Sequence, residues 1–214
     1  GQWCAYPDFD VIDKFTGYLQ PGNFEIFRES ARAHDVLGQN KEFVYNSGRQ
    51  QVRMLKEDLE ANLRTPYIYG FELLDLHDYL GQGTALVGIL DPFWDSKGYV
   101  TPNEWRQFRD ETVLLARIES DCIDRAKNAT ISIPIEVSHF GRAPLQSVRI
   151  HWQLEQQPVT EYTYGEHGKT LTQIVFQPPV LCGTLKQRDY ALEKNQSAGC
   201  IYLNMEDILS LIHI

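Results

Sequence analysis

From about Ala129 onward the apolar residues of this chain fall into short alternating segments, whereas up to Arg117 helix-like stretches intervene. A strand sends successive side chains to opposite faces, whereas a helix returns to the same face every 3.6 residues, so a change of period marks a change of architecture. The first stretch alternates helix-like and strand-like segments; the second is built of short alternating segments separated by Gly and Pro. The chain has 214 residues, enough for one large domain or two modest ones. The pattern divides it into a first domain over 1–117, a linker over 118–128 and an all-β domain over 129–208.

Within the first domain, Asn23 follows Pro21-Gly22 and is placed to cap a helix with Phe24, Phe27 and Ala31 on one face, ending near 37–38. Val52, Leu55, Leu59 and Leu63 form a second stripe, predicting a helix over 41–63 that Gly48 interrupts and Arg64-Thr65-Pro66 ends. Residues 68–76, IYGFELLDL, are apolar on both faces and lead into His77-Asp78, the pattern of a fully buried strand with polar groups at its carboxyl end. A glycine-rich loop follows over 79–99, with a short apolar element at 85–90. Thr101-Pro102-Asn103-Glu104 is a capping box, predicting a helix that buries Trp105, Phe108, Val113 and Ala116. Helix, strand, loop, helix is the order of the closing quarter of a (β/α)8 TIM barrel, whose functional groups gather beyond the strands' carboxyl ends.

In the second domain, strands are expected over 130–137, 147–154, 170–176 and 199–203, with a turn at Phe140-Gly141-Arg142. Ile131, Ile133, Ile135 and Val137 share one face, as do Val148, Ile150, Trp152 and Leu154, so the two strands are suited to one core. An immunoglobulin-like β-sandwich is the expected fold, with Trp152 and Tyr202 in its interior.

The net charge of -9, from 20 basic and 29 acidic residues, repels phosphate backbones and argues against nucleic acid as a partner. No apolar run approaches the roughly 18–20 residues that cross a bilayer, so a membrane anchor is not expected. Cys4, Cys122, Cys182 and Cys200 form no CxxC or Cys/His cluster, and neither zinc nor another cofactor is expected. Buried thiols are the plain reading; whether Cys182 and Cys200 meet across strands stays open.

Three stretches carry a family likeness: GQWCAYPDF from Gly1, YGFELLDLHDYLGQGTALVGILDPFWDSKGYV from Tyr69, and ISIPIEVSHFG from Ile131. They resemble glycoside hydrolases of the family 2 type, which include β-galactosidases, β-glucuronidases and β-mannosidases, in a divergent bacterial branch. The middle stretch is similar to the eighth barrel strand and its active-site loop. There Gly70-Phe71 matches in part, while Leu74-Asp75 and Leu76-His77-Asp78 replace the family's tryptophan-rich ending. The resemblance implies a carboxy-terminal piece of a retaining hydrolase acting on β-linked sugars, periplasmic or secreted. Both catalytic glutamates would lie upstream of Gly1, in a missing amino-terminal part of the same chain, leaving this fragment without activity of its own. A non-catalytic carbohydrate-binding module is the alternative.

Retaining hydrolysis needs two carboxyl groups about 5 Å apart. What this chain offers are groups suited to binding sugar: aromatic faces that stack on pyranose C–H groups, and polar groups that hydrogen-bond hydroxyls. Trp3, Tyr6, Asp75, His77, Asp78, Gln82 and Trp94 are the candidates. Trp3 and Tyr6 read equally as packing residues, and Trp94 as a plug at the barrel mouth. Asp75, His77 and Asp78 read alternatively as a hydrogen-bond network with the Gly81 to Gly83 loop. The tail over 209–214, LSLIHI, departs from the preceding pattern and matches one reading frame of a transposon-end sequencing adapter; with Gly1 it suggests an environmental sequence cut at both ends.

Overall fold

The computed structural model describes residues 3–74, 76–80, 86–118, 130–155, 159–165, 168–175 and 181–204. The chain divides into two units, Gly1–Asp110 and Glu111–Ile214. The expected linker lies almost wholly outside the described residues, as do Asp75, Gln82, Cys122 and the tail.

The first unit opens with a 3-10 turn, Phe9–Lys14, capped by the Asp8 side chain, which accepts from the Asp10 amide. Helix α1 is Gly22–Ala33; Pro21, rather than Asn23, occupies its N-cap position, without a side-chain cap. A short 3-10 turn, Leu37–Gln39, leads into α2, Asn40–Arg64. Gly48 does not interrupt α2, because tertiary packing overrides its low helix propensity. A Cβ there would lie 2.2 Å from a ring carbon of Tyr99, so the glycine admits the aromatic ring against the helix backbone. Buried Tyr99 is held by its hydroxyl, which lies within hydrogen-bond reach of Gln51 Oε1 and Gly88 O, while Gln51 Nε2 donates to the carbonyls of Trp3 and Val87. One core joins Ala5, Val44, Val52, Leu59, Tyr99 and Phe108; another joins Phe9, Val11, Ile12, Phe24, Ala31 and Leu86.

The barrel expectation is overturned. Among the described residues, Gly1–Asp110 contains no β-strand; isolated bridges join His77 to Leu90 and Leu90 to Ser96. Among its described residues the apolar run over 68–76 forms no strand, and Tyr69 and Leu74 are exposed. A run apolar on both faces becomes a buried strand only where neighbouring strands take up its backbone groups. Here Gly70 O accepts from the Asn62 side chain, and backbone pairing begins later, where the Leu76 carbonyl accepts from the amides of Ile89 and Leu90.

Helix α3, Pro102–Arg106, starts at the predicted capping box, with Thr101 and Glu104 bonding each other's backbone. It lasts only five residues. The chain then enters β1, Thr112–Ala116, so Val113 and Ala116 belong to a strand, not to the buried side of a helix.

The second unit also contains β2 (Thr130–His139), β3 (Leu145–Val148), β4 (His151–Leu154), β5 (Val159–Gly165), β6 (Gly168–Val175), β7 (Leu181–Thr184), β8 (Arg188–Tyr190) and β9 (Gln196–Asn204). Strands β1, β2 and β9 form an antiparallel sheet in that order, and β3-β8, β4-β7 and β5-β6 are two-stranded antiparallel ladders. This replaces the expected immunoglobulin-like sandwich. The physical reason is visible where one strand was expected over 147–154: Ser147 adopts φ +56°, the register shifts between Leu145 and Val148, and the segment splits into β3 and β4 with different partners. Ile133, Ile135, Val137, Val148, Ile150 and Trp152 nevertheless pack around one core. Gly183 lies opposite Trp152, where a Cβ would meet the indole at 2.6 Å. Tyr202, expected in the interior, is exposed.

Candidate functional site

The isolated bridges position a cleft. Asp78 N donates to Leu90 O at 3.1 Å, drawing 76–78 beside 88–90, and the approach is close enough that a Cβ on Gly88 would lie 2.2 Å from the His77 carbonyl carbon. Only glycine fits there. Lys97 Nζ donates to Asp78 Oδ1 at 2.7 Å and to Gly88 O at 2.7 Å, and Gly88 N donates to the same carboxylate oxygen at 3.1 Å.

The side chains of Lys97 and Asp78 are 6% and 3% exposed. Burial pushes the Asp78 carboxyl above its usual range, with Lys97 only partly opposing the rise. Burial likewise pushes Lys97 below the usual lysine value, against the pull of Asp78. Desolvation dominates both partners, as expected for an ion pair withdrawn from water.

A second carboxylate is held differently. Asp91 Oδ1 accepts from the amides of Phe93 at 2.8 Å and Asp95 at 2.9 Å, and Oδ2 accepts from Lys14 Nζ at 2.5 Å. Burial alone would raise this carboxyl, but the bonds from Lys14 and the two amides outweigh it and hold it below the usual carboxylate range. Lys14 is raised in turn by its bonds to Asp91 and Asp95. The turn closes with Trp94 N on Asp91 O at 3.0 Å and Asp91 N on Asp95 O at 2.9 Å. It places Trp94 at φ +69°, an uncommon backbone conformation for a bulky side chain.

That turn presents an aromatic surface. Trp94 is 59% exposed, and its ring lies 4.5 Å, centroid to centroid, from the His77 imidazole at 42°. His77 Nδ1 lies 2.8 Å from Asp78 O; a carbonyl only accepts, so Nδ1 carries a proton in this contact. His77 and Asp78 line a cleft of about 410 Å³ with Phe15, Tyr18, Tyr79 and Phe93. Phe15 and Phe93 meet edge to face at 4.7 Å, and Tyr18 projects fully into solvent. Asp78 and Lys14, which line the cleft, also line with Asp91 and Lys97 a second cavity of about 120 Å³.

Of the residues singled out in the sequence, His77, Asp78 and Trp94 come together here. Tyr6 does not: its ring packs edge to face on Phe9 and Phe43 and borders both cores. Trp3 does not line the cleft, and its carbonyl ties to Gln51. Asp75 and Gln82 lie outside the described residues. Sequence reasoning missed Phe15, Tyr18, Asp91 and both lysines. Asp91-Pro92 carries the signal of an Asx turn, an Asp side chain bonding the backbone two residues on. Lys97, by contrast, meets Asp78 across nineteen residues with no local signature. Among the described residues, no group of three or more His, Cys, Asp or Glu is arranged to hold a metal ion. No model of a protein family and no curated protein matches the chain.

Proposed function

We propose that the cleft beside His77 holds a carbohydrate, and that the chain is the sugar-holding part of a glycoside hydrolase that cleaves β-linked sugars with retention. The observation that carries this reading is Trp94: a strained turn holds an indole in solvent and sets it, tilted, against a histidine that lines the aromatic cleft. Strain of this kind costs about 1–3 kcal/mol and persists only where surrounding structure over-determines it. An exposed aromatic plane beside an imidazole suits a pyranose, which presents an apolar C–H face and a rim of hydroxyls.

The carboxylates favour binding over turnover by this chain alone. Asp78 is committed to Lys97 and Asp91 to Lys14, whereas retaining chemistry needs a carboxylate free to attack and a protonated partner about 5 Å away. The test is NMR titration of the 214-residue chain with methyl β-galactoside, β-glucuronide and β-mannoside. At least one should shift the Trp94 indole and His77 ring signals, and W94A should weaken its binding about tenfold or more. Absence of a shift with all three, or unchanged affinity in W94A, overturns the reading. Turnover of an aryl β-glycoside by the chain would overturn the division of labour between binding and catalysis.

A further inference from the structure

We propose that Lys97 captures a small aldehyde, its amine condensing with the carbonyl to form an imine inside the cavity that Lys97 shares with Lys14, Asp78 and Asp91. This chemistry stands apart from the carbohydrate reading, because Lys97 does not line the aromatic cleft. The cavity encloses about 120 Å³. Liquid water takes roughly 30 Å³ per molecule, so a ligand of only a few heavy atoms fits. Val11, Phe24, Asp78 and Asp91 in its lining are buried, whereas Asp10, Lys14 and Ser96 are exposed, so the cavity opens to solvent.

The two lysines of this cavity are pushed in opposite directions. Lys14 bonds Asp91 and Asp95, and those bonds raise it above the usual lysine value, so it stays an ammonium. Lys97 is buried, and burial lowers it although Asp78, Asp91 and Cys4 all pull the other way. A desolvated lysine keeps more of its amine in the free form, which is the form that attacks a carbonyl. Burial raises Asp78 as well, so the carboxylate is suited to take the proton that the amine gives up across their 2.7 Å bond.

The step balances within the pair. Lys97 Nζ passes one proton to Asp78 Oδ1 and attacks the aldehyde carbon; the C–N bond forms as the C=O π pair moves to oxygen. The nitrogen then gives a proton to that oxygen, and Asp78 returns its own proton to the resulting hydroxyl. The C–O bond breaks, water leaves, and the nitrogen lone pair closes the C=N bond. One ammonium and one aldehyde become one protonated imine and one water, with nothing oxidised or reduced. The positive charge ends where it began, beside the Asp78 carboxylate, so neither member of the buried pair is stranded. Gly88 O, which accepts from Lys97 at 2.7 Å, keeps the Tyr99 hydroxyl within reach at 3.1 Å.

Reaction of the full chain with glycolaldehyde and cyanoborohydride at neutral pH, followed by peptide mass mapping, tests the proposal, since reduction fixes the imine as a hydroxyethyl amine. At limiting reagent, Lys97 should carry at least about tenfold more adduct than Lys14, which lines the same cavity, or than Lys56, whose side chain is 42% exposed. Unfolding in urea should erase that preference. D78N/K97M, in which neither charge is left stranded, should lose the dominant adduct and leave Lys56 labelled as in the wild type. Lys97 labelled no more than Lys56, a preference for Lys97 that survives in urea, or an undiminished total adduct in the double variant would each overturn the proposal. Lys97 labelling with no sugar bound in the cleft would sink the carbohydrate reading alone, and sugar binding with Lys97 inert would sink this one alone.

Discussion

Asp78 and Lys97 show how much of the candidate site depends on residues that recognise each other only after folding. His77-Asp78 stands out in the sequence because two polar residues end an apolar run, but nothing around Lys97 announces a buried cation. Removing one partner of such a pair leaves a charge stranded in low dielectric, at a cost of about 3–5 kcal/mol. K97M should therefore lower stability by about that amount in urea unfolding at neutral pH. Because burial already raises the Asp78 pKa in the folded state, loss of Lys97 raises it further. The penalty then applies above that pKa and shrinks as the pH falls and the carboxyl takes a proton. D78N/K97M should recover most of the loss, and K97M with unchanged stability at neutral pH would show the pair to be energetically silent. G88A is the sharper steric test: the new methyl meets backbone at 2.2 and 2.4 Å, which no rotamer change relieves. It should destabilise by about 1–3 kcal/mol and disturb the His77 signals, and a wild-type melting curve would contradict that geometry.

Elements whose signals are local were legible, and those that need a distant partner were not. The capping box at 101–104 appears with both reciprocal bonds, because every atom it needs lies within four residues. T101A should cost about 1 kcal/mol, read as a lower urea midpoint. Glu104 adds a pH dependence of known sign. Its folded pKa of about 2 lies below the ordinary 4.5, so its contribution is present above the ordinary value and is lost as the pH falls toward 2. E104Q should flatten the dependence of melting temperature on pH between 5 and 2; an unchanged slope would remove Glu104 as its source. The stripe of α2 was legible as well, whereas the fate of Gly48 depended on Tyr99, which no reading of the helix alone supplies. The run over 68–76 misled for the opposite reason: its composition suits a buried strand, but burial needs neighbours that composition cannot provide. In β2, alternation was a sufficient guide, since Ile135 and Val137 are buried and Ser132 and Pro134 exposed.

For the molecule as a whole, the change of period predicted two parts but placed the first one's end at Arg117, whereas the units divide between Asp110 and Glu111. The seven residues in dispute contain β1, whose sequence TVLLA is apolar without alternation and comes after the helix-start signal at 101–104, so periodicity alone assigned it to the helix. Its register decides the matter physically. β1 pairs along its whole length with β2, Thr112 opposite His139 and Ala116 opposite Ile135, while Val113 and Leu115 are 1% and 0% exposed. Thr112 also completes a local network: His139 Nε2 lies 2.8 Å from the Ala143 carbonyl and must donate to it, leaving Nδ1 to accept from the Thr112 hydroxyl at 2.8 Å. A second unit begun at residue 118 would lose an edge strand, uncover one side of β2 and leave the buried His139 without its hydroxyl partner. Burying a Val or Leu side chain is worth about 1.5–3 kcal/mol, so the two residues together predict a loss of about 3–6 kcal/mol. Residues 111–214 should therefore unfold cooperatively in urea, and residues 118–214 should be less stable by that amount or fail to fold. Equal stability of the two fragments would return β1 to the first unit and move the boundary to where periodicity alone had put it.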